Sequence, residues 1–271
     1  MLLNYIIWNP DPEIFSIGPL SVRWYGLLFA TGFIFGYIIF QKIFKKEGVS
    51  IEELDRFTIY VVLGTVLGAR FGHVCFYEPE YYCSHPSEII KIWHGGLASH
   101  GAAVGILLAI WLFVRKSSKN LLWLLDRIGI VVALGGAFIR LGNLMNSEIV
   151  GAPSKLPWAF AFVSDNITRG LPENFTRHPS QIYEAFFYFL LFGLLYFLYQ
   201  KGWGKKQGYL FSWFLILLFG FRFIIEFFKD IQVNFEQTMV INMGQWLSIP
   251  FVLGGIILLF FSIKKQKVKQ S

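Results

Sequence analysis

The stretch Gln237–Ile263, QTMVINMGQWLSIPFVLGGIILLFFSI, carries no charged side chain. It exceeds the roughly 20 residues a helix needs to cross about 30 Å of hydrocarbon. Its most apolar part places a span at Gly244–Ile263. Six further apolar stretches precede it: Trp24–Phe44, Phe57–Phe76, Leu97–Val114, Ile128–Met145, Ala185–Gln200 and Gln207–Phe228. Composition agrees with that pattern. Of 271 residues, 55% are hydrophobic and 15% charged, and mean hydropathy is +0.54. A soluble domain carries about 25% charged residues, so this chain lacks the charge to cover a water-facing surface. A disordered chain, a disulfide-stapled secreted domain and a soluble enzyme of ordinary surface are excluded. Long apolar runs favour helices over a barrel. The expected fold class is all-α: one polytopic integral membrane domain over residues 1–271, with seven transmembrane helices.

Residues 1–22 lack a basic leader and contain Pro10, Asp11, Pro12, Glu13 and Pro19. They read as an ordered lead-in on one membrane face rather than a signal peptide. The longest connection, Asn146–Gln181, is expected to form a small head between spans four and five. Of the 24 Lys and Arg residues, 15 fall in the tail and around the connections after spans one, three and five. Six fall on the opposite face, and Arg70, Arg140 and Arg222 lie within spans. The basic face is cytoplasmic by the positive-inside rule, which puts the amino terminus and the Asn146–Gln181 head outside and the carboxyl terminus inside. Cys75 and Cys83 match no metal spacing. Both lie toward the outer face, where a disulfide and two free thiols are both open readings.

The three arginines within spans carry the most information, because such charges usually face a polar cavity or a partner. Arg140 shares a helix face with Asn143 and Ser147, and a lone buried guanidinium needs an anion. Arg222 and Glu226 are four apart on one face, the spacing of an ion pair. Guanidinium groups bind phosphate in a fixed fork. The residues therefore suggest a lipid-phosphate site or an anion pathway, and physical chemistry alone leaves both open. His94 and His100 are too isolated for an obvious metal site, and no nucleotide- or nucleic-acid-binding motif is present.

Two denser strings sharpen the reading. In Trp93-His94-Gly95-Gly96-Leu97-Ala98-Ser99-His100-Gly101, paired glycines permit a tight entry into the third span. His100, in its first turn, can take a proton from a nucleophile or serve as an interfacial hydrogen-bonding residue. In Arg177-His178-Pro179-Ser180-Gln181-Ile182-Tyr183-Glu184, Ser180 is placed to cap the fifth span, with Glu184 near its first turn.

The ordered set of motifs resembles the bacterial prolipoprotein diacylglyceryl transferases over nearly the whole chain. The residues that carry the resemblance are Phe15-Ser16-Ile17-Gly18-Pro19, Trp24-Tyr25-Gly26 and Gly95–Gly101. Arg140-Leu141-Gly142-Asn143 follows, with Asn146, Glu148 and Gly151. Then come Arg177–Glu184, Phe221-Arg222 with Glu226-Phe227-Phe228, and Met243-Gly244-Gln245 with Ser248-Ile249-Pro250. The resemblance implies transfer of the diacylglyceryl group of phosphatidylglycerol to the lipobox cysteine of a prolipoprotein signal peptide, releasing glycerol 1-phosphate. It also implies seven transmembrane helices, a periplasmic-side head, residence in the bacterial inner membrane, and neither metal nor cofactor. Against the family pattern, Ile139, Ser147, Val150, His94, Ala102, Arg23 and Leu218 are departures; Ser147 stands where the family has glycine.

The implied chemistry is alkyl transfer, in which a thiolate attacks the glyceryl carbon that bears the phosphate ester. His100 is the expected general base. Arg140 first, and Arg222 second, are expected to stabilise the departing phosphate. Asn143 is assigned a hydrogen bond to a phosphate or glycerol oxygen, and Tyr25 the orientation of the head group. Glu226 is expected to hold Arg222, Glu148 to orient Arg140, and Gly151 to admit substrate closely. Arg70 is expected to anchor structure or lipid.

Overall fold

The computed structural model describes residues 5–18, 20–92, 95–230 and 239–270. Pro19, Trp93 and His94, quoted above, lie outside the described residues. Two compact units result, Met1–Ile38 with Leu125–Ser271, and Ile39–Leu124.

The Ile39–Leu124 unit begins in the last turns of α1 (Trp24–Lys46), which ends on Lys45 and Lys46 at the negative end of the helix dipole. Helix α2 (Ile51–Phe76) starts at Ser50, whose Oγ accepts a hydrogen bond from Glu53 N at 3.3 Å. Glu52 and Glu53 favour that first turn. The span therefore starts earlier than Phe57, since its polar first turns are helical too. A short α3 (Pro79–Ser84) and a 3-10 turn lead to α4 (Ser99–Lys116), which occupies the third apolar stretch.

Helices α2 and α4 meet along glycines at every fourth position, Gly64, Gly68 and Gly72 against Gly101 and Gly105. A methyl group on Gly64 would sit 2.6 Å from the Gly105 carbonyl oxygen, and one on Gly72 2.7 Å from the Gly101 Cα. Backbone-to-backbone packing of this kind needs residues without side chains. Below it, Phe40, Phe44, Phe57, Phe113 and Trp123 interlock edge to face at centroid separations of 5.0–5.5 Å. The Trp123 indole donates to Glu47 at 2.7 Å.

The larger unit holds most of α5 (Leu121–Met145), with α7 (Ser180–Gln200), α8 (Tyr209–Ile225) and α9 (Met243–Gln270). Asp126, fully buried on α5, accepts from the backbone N–H groups of Gly208 at 2.8 Å and Phe211 at 2.9 Å. It caps α8 from a neighbouring helix, and Arg127 beside it donates to the Gly204 carbonyl. Stacked rings join α7 to α8 through Phe187 and Phe221, and α8 to α9 through Phe219 and Phe251.

Six helices among the described residues are long and apolar enough to cross a membrane: α1, α2, α5, α7, α8 with its extension to Phe228, and α9 to Lys264. The protein is an integral membrane protein, mostly helical. It is not purely helical. Strand β1 (Ile6–Trp8) pairs in parallel with β4 (Phe160–Phe162), and β4 pairs antiparallel with β5 (Thr176–Arg177). Strands β2 (Glu13–Ile17) and β3 (Leu20–Arg23) form a hairpin. These strands are too short to show a period in sequence, and β1 finds its partner across about 150 residues. Val150, Leu144, Phe160 and Phe162 form a small core under the sheet, with Trp8 and Ile182 against it. The loop around α6 (Val163–Thr168) closes on buried Asn166, which donates to the carbonyls of Glu173 and Phe175.

Candidate active site

The end of α5 faces the start of α7. Ser180, Gln181 and Glu184, all fully buried, lie on the inward side of that first turn. Ser180 does not cap its helix; its hydroxyl donates to the Ile149 carbonyl at 2.9 Å. Gln181 donates to the Glu148 carbonyl at 2.7 Å. Between those carbonyls the backbone is strained. Ser147 and Ile149 adopt φ of +53° and +57°, a region that side-chain-bearing residues avoid. Glycine adopts such a φ freely, and Glu148 projects from the tight turn between the two.

Arg140 has an anion of its own. Its Nε lies 3.1 Å from Glu184 Oε2, and a second guanidinium nitrogen donates to Asn143 Oδ1 at 3.1 Å. Tyr188, one turn along α7, reaches the same group. Asn143 Nδ2 in turn donates to Glu148 Oε1 at 2.9 Å, so Glu148 acts on Arg140 through Asn143. The Tyr25 ring packs on Gly142, where an added methyl would stand 2.8 Å from it.

The ion chain continues. Glu184 Oε1 is 3.1 Å from Lys229 Nζ, and Lys229 Nζ is 3.0 Å from Glu226 Oε1. Asn242 Nδ2 donates to Glu226 Oε2 at 3.1 Å, and Gly244 leaves room for that carboxylate. Arg222 Nε stands 4.0 Å from Glu226 Oε1, too far for a hydrogen bond. Buried Arg222 Nε has no hydrogen-bond partner among the described residues. The Arg222 side chain is 37% exposed, against 15% for Arg140. Three cations and two carboxylates thus form one chain with an excess positive charge at its open end. Such a site attracts an anion.

Gly151 lies where backbone segments cross. A methyl there would fall 2.5 Å from the His178 carbonyl oxygen and 2.8 Å from that of Phe228. Gly151 N donates to His178 O, and Ala152 N to Phe228 O. The close approach at this glycine is made by the protein's own backbone. Asp230 fastens the same crossing, accepting from Arg169 at 2.6 Å and Arg177 at 2.8 Å. Burial works against the Arg169 cation, but Asp165 and Asp230 outweigh it and hold its pKa above the ordinary value. His178 is pushed below its ordinary pKa by burial. Its Nδ1 lies 3.2 Å from the Tyr183 hydroxyl, which accepts from the Trp158 indole.

His100 lies in the other unit, exposed on the second residue of α4. Arg70, in that unit, is 5% exposed. It donates to the carbonyls of Ile89 at 2.8 Å, Gly95 at 2.6 Å, Gly96 at 3.0 Å and Glu88 at 2.5 Å. It lies 4.9 Å over the Tyr82 ring. These bonds fasten the backbone that leads to His100. Cys75 and Cys83 are both free and exposed. Among the described residues no group of three or more His, Cys, Asp or Glu is placed to hold a metal.

Glu184, Lys229, Tyr188 and Asn242 were not assigned to the site from sequence. Glu184 lies in a quoted string, and an acidic residue at the edge of an apolar stretch is its available signal in sequence. Lys229 is one of the six basic residues on the face opposite the tail, where sequence gives no sign of burial.

Six long apolar helices and a buried chain of ion pairs define an integral membrane protein. The model of the prolipoprotein diacylglyceryl transferase family matches residues 12–261, and the chain belongs to that family. It is 50% identical to the phosphatidylglycerol–prolipoprotein diacylglyceryl transferase of Tolumonas auensis, over 96% of this chain and 99% of that one. The proteins of the same name from Chloroherpeton thalassium and Bacteroides fragilis are 45% and 42% identical. The alignments cover 99% of this chain in both cases, and 98% and 99% of those proteins. The reading of the arginines as an anion pathway, whether transporter or channel, finds no support beside them.

Proposed function

We propose that this enzyme moves the diacylglyceryl group of phosphatidylglycerol onto the lipobox cysteine of a prolipoprotein signal peptide. His100 accepts the thiol proton. The sulfur attacks the glyceryl carbon bearing the phosphate ester, a C–S bond forms and the C–O bond breaks. The bonding pair leaves on the phosphate oxygen, giving glycerol 1-phosphate. Charge developing there is what a preorganised guanidinium stabilises best. The observation that carries the reading is the Arg222 side chain, 37% exposed at the end of the ion chain, with an Nε that has no hydrogen-bond partner among the described residues. It reverses the expected ranking: Arg222 makes the first phosphate contact, while Arg140, already held by Glu184 and Asn143, completes the field. Asn143 and Tyr25 orient the glycerol head group, with Glu148 setting Asn143. Glu226 limits how far Arg222 swings, and Gly151 keeps the surrounding backbone close.

The reading includes seven spans, with α4 held against α2 as the seventh, in one membrane-embedded domain. The amino terminus and the Asn146–Gln181 head face the periplasm, and the carboxyl terminus faces the cytoplasm of a bacterium's inner membrane. Phosphatidylglycerol and the signal helix then both arrive laterally from lipid. Purified protein in detergent, given phosphatidylglycerol and a lipobox peptide, is expected to release glycerol phosphate only when peptide is present. Release is expected to vanish in His100→Gln and Arg222→Ala. Full turnover in His100→Gln removes the base assignment, and no release from folded wild-type protein removes the reaction.

A further inference from the structure

Arg140 and Arg222 sit on different helices, and each is near a different carboxylate. Arg140 contacts Glu184 of α7, while Arg222 stands near Glu226 at the end of α8. One side chain joins those carboxylates. Lys229 Nζ lies 3.1 Å from Glu184 and 3.0 Å from Glu226, and its side chain is 3% exposed. Its backbone is seated independently of that charge. Lys229 bridges Gly151 in antiparallel fashion, Phe228 O accepts from Ala152 N, and Asp230 N donates to Val150 O. The glycine at position 151 is what lets this segment approach, since a methyl would strike Phe228 O.

We infer that Glu184 and Lys229 are positioning residues of the transferase: Lys229 cross-links the carboxylates that hold the two guanidinium groups, so that both arginines are set as one unit. This inference rests on the reaction proposed above. Without the ammonium, Glu184 and Glu226 would be two buried carboxylates sharing no cation between them. Each would then draw its arginine inward, away from an incoming phosphate. Protonating one carboxylate relieves that pull, because like charges in a shared site raise the pKa of one member. The groups facing this centre are Arg140 from α5, Glu184 and Tyr188 from α7, Arg222 from α8, Glu226 from the turn after it, and neutral Asn242 before α9. Among the described residues, Glu148 is linked to Arg140 through Asn143, and Asp230, beside Lys229, accepts from Arg169 and Arg177.

The test measures kcat and KM for phosphatidylglycerol at pH 6, 7 and 8, by glycerol phosphate release in detergent. Lys229→Met is expected to lower kcat about tenfold or more at pH 8 with KM little changed, and its ratio to wild type is expected to recover several-fold toward pH 6. A packing defect would give a ratio independent of pH. Adding Glu184→Gln removes one of the two competing carboxylates and should flatten the ratio. Lys229→Arg, which keeps the charge, should retain kcat within about threefold. A Lys229→Met enzyme with wild-type kcat and a parallel pH profile overturns the inference. If Lys229→Met does not fold, Glu184→Gln alone decides. It is expected to lower kcat by releasing Arg140, and wild-type kcat in it overturns the inference as well. Absence of peptide-dependent release from the wild type overturns the underlying reaction, and the inference with it. An active wild type with unaffected variants overturns the inference alone.

Discussion

Arg70 near the end of α2 and Arg222 near the end of α8 are both guanidinium groups within long apolar helices, yet their surroundings are opposite. Arg70 donates to four carbonyls of the loop after α3 and lies over Tyr82. Arg222 has a buried Nε without a hydrogen-bond partner among the described residues, and its carboxylate neighbour is 4.0 Å away. An intramembrane arginine therefore does not mark a site by its position. The two differ in how much of their donor capacity the described residues use. Arg140 lies between the two cases, held by Glu184 and Asn143 yet part of the same ion chain as Arg222.

The largest contrast should come from alanine at the two extremes. Arg222→Ala is expected to lower turnover about a thousandfold, roughly 4 kcal/mol of transition-state stabilisation, while thermal unfolding in detergent stays near wild type. Arg222→Lys should recover little, because a point charge lacks the fork. Normal turnover in Arg222→Ala would erase the distinction between the two arginines.

Arg70→Ala should do the reverse and act first on stability. Removing the donor of four carbonyl hydrogen bonds is expected to destabilise the Ile39–Leu124 unit by about 3 kcal/mol or more. The check is the unfolding midpoint and the yield of monodisperse protein. A stable Arg70→Ala protein with lost turnover would move Arg70 into the catalytic group. The glycine seam gives a smaller effect in the same unit. Gly105→Ala presses a methyl onto the Gly64 carbonyl and should cost about 1–3 kcal/mol, the usual range for overpacking.

The difference between the arginines was not legible in sequence, although the helices were. Each of the seven apolar stretches lies on a helix, because hydropathy over about 20 residues is a local property. Boundaries moved where a polar first turn is helical, as at Ile51–Arg56. The strings around Arg140 and Arg222 fall on residues that the structure brings into one ion chain. The partners of those arginines were hidden, because Glu184 is 44 positions from Arg140 and Lys229 is 45 from Glu184. No periodicity carries contacts at that range. Arg70 was opaque for a different reason: its partners are backbone carbonyls, which leave no side-chain signature.

The smallest predicted effect separates the two regions by how their turns are made. Near Arg70 the chain takes positive φ at Gly95 and Gly96, +88° and +73°, where glycine adopts it freely. Beside Arg140 it does so at Ser147 and Ile149. The left-handed conformation costs a residue with a Cβ about 1–2 kcal/mol, and the surroundings enforce it there. Glu148 N donates to Asn143 O, and the carbonyls of Glu148 and Ile149 accept from Gln181 and Ser180. Ser147→Gly removes the steric strain but adds freedom to the unfolded chain, which takes back about 0.4–1 kcal/mol. The net expectation is a gain of up to about 1 kcal/mol in unfolding free energy, with turnover unchanged within about twofold. A lower unfolding midpoint in Ser147→Gly would mean that the Ser147 backbone is not strained. A gain in stability accompanied by lost turnover would mean that the strain itself holds Glu148, and through it Asn143 and Arg140, in the working arrangement.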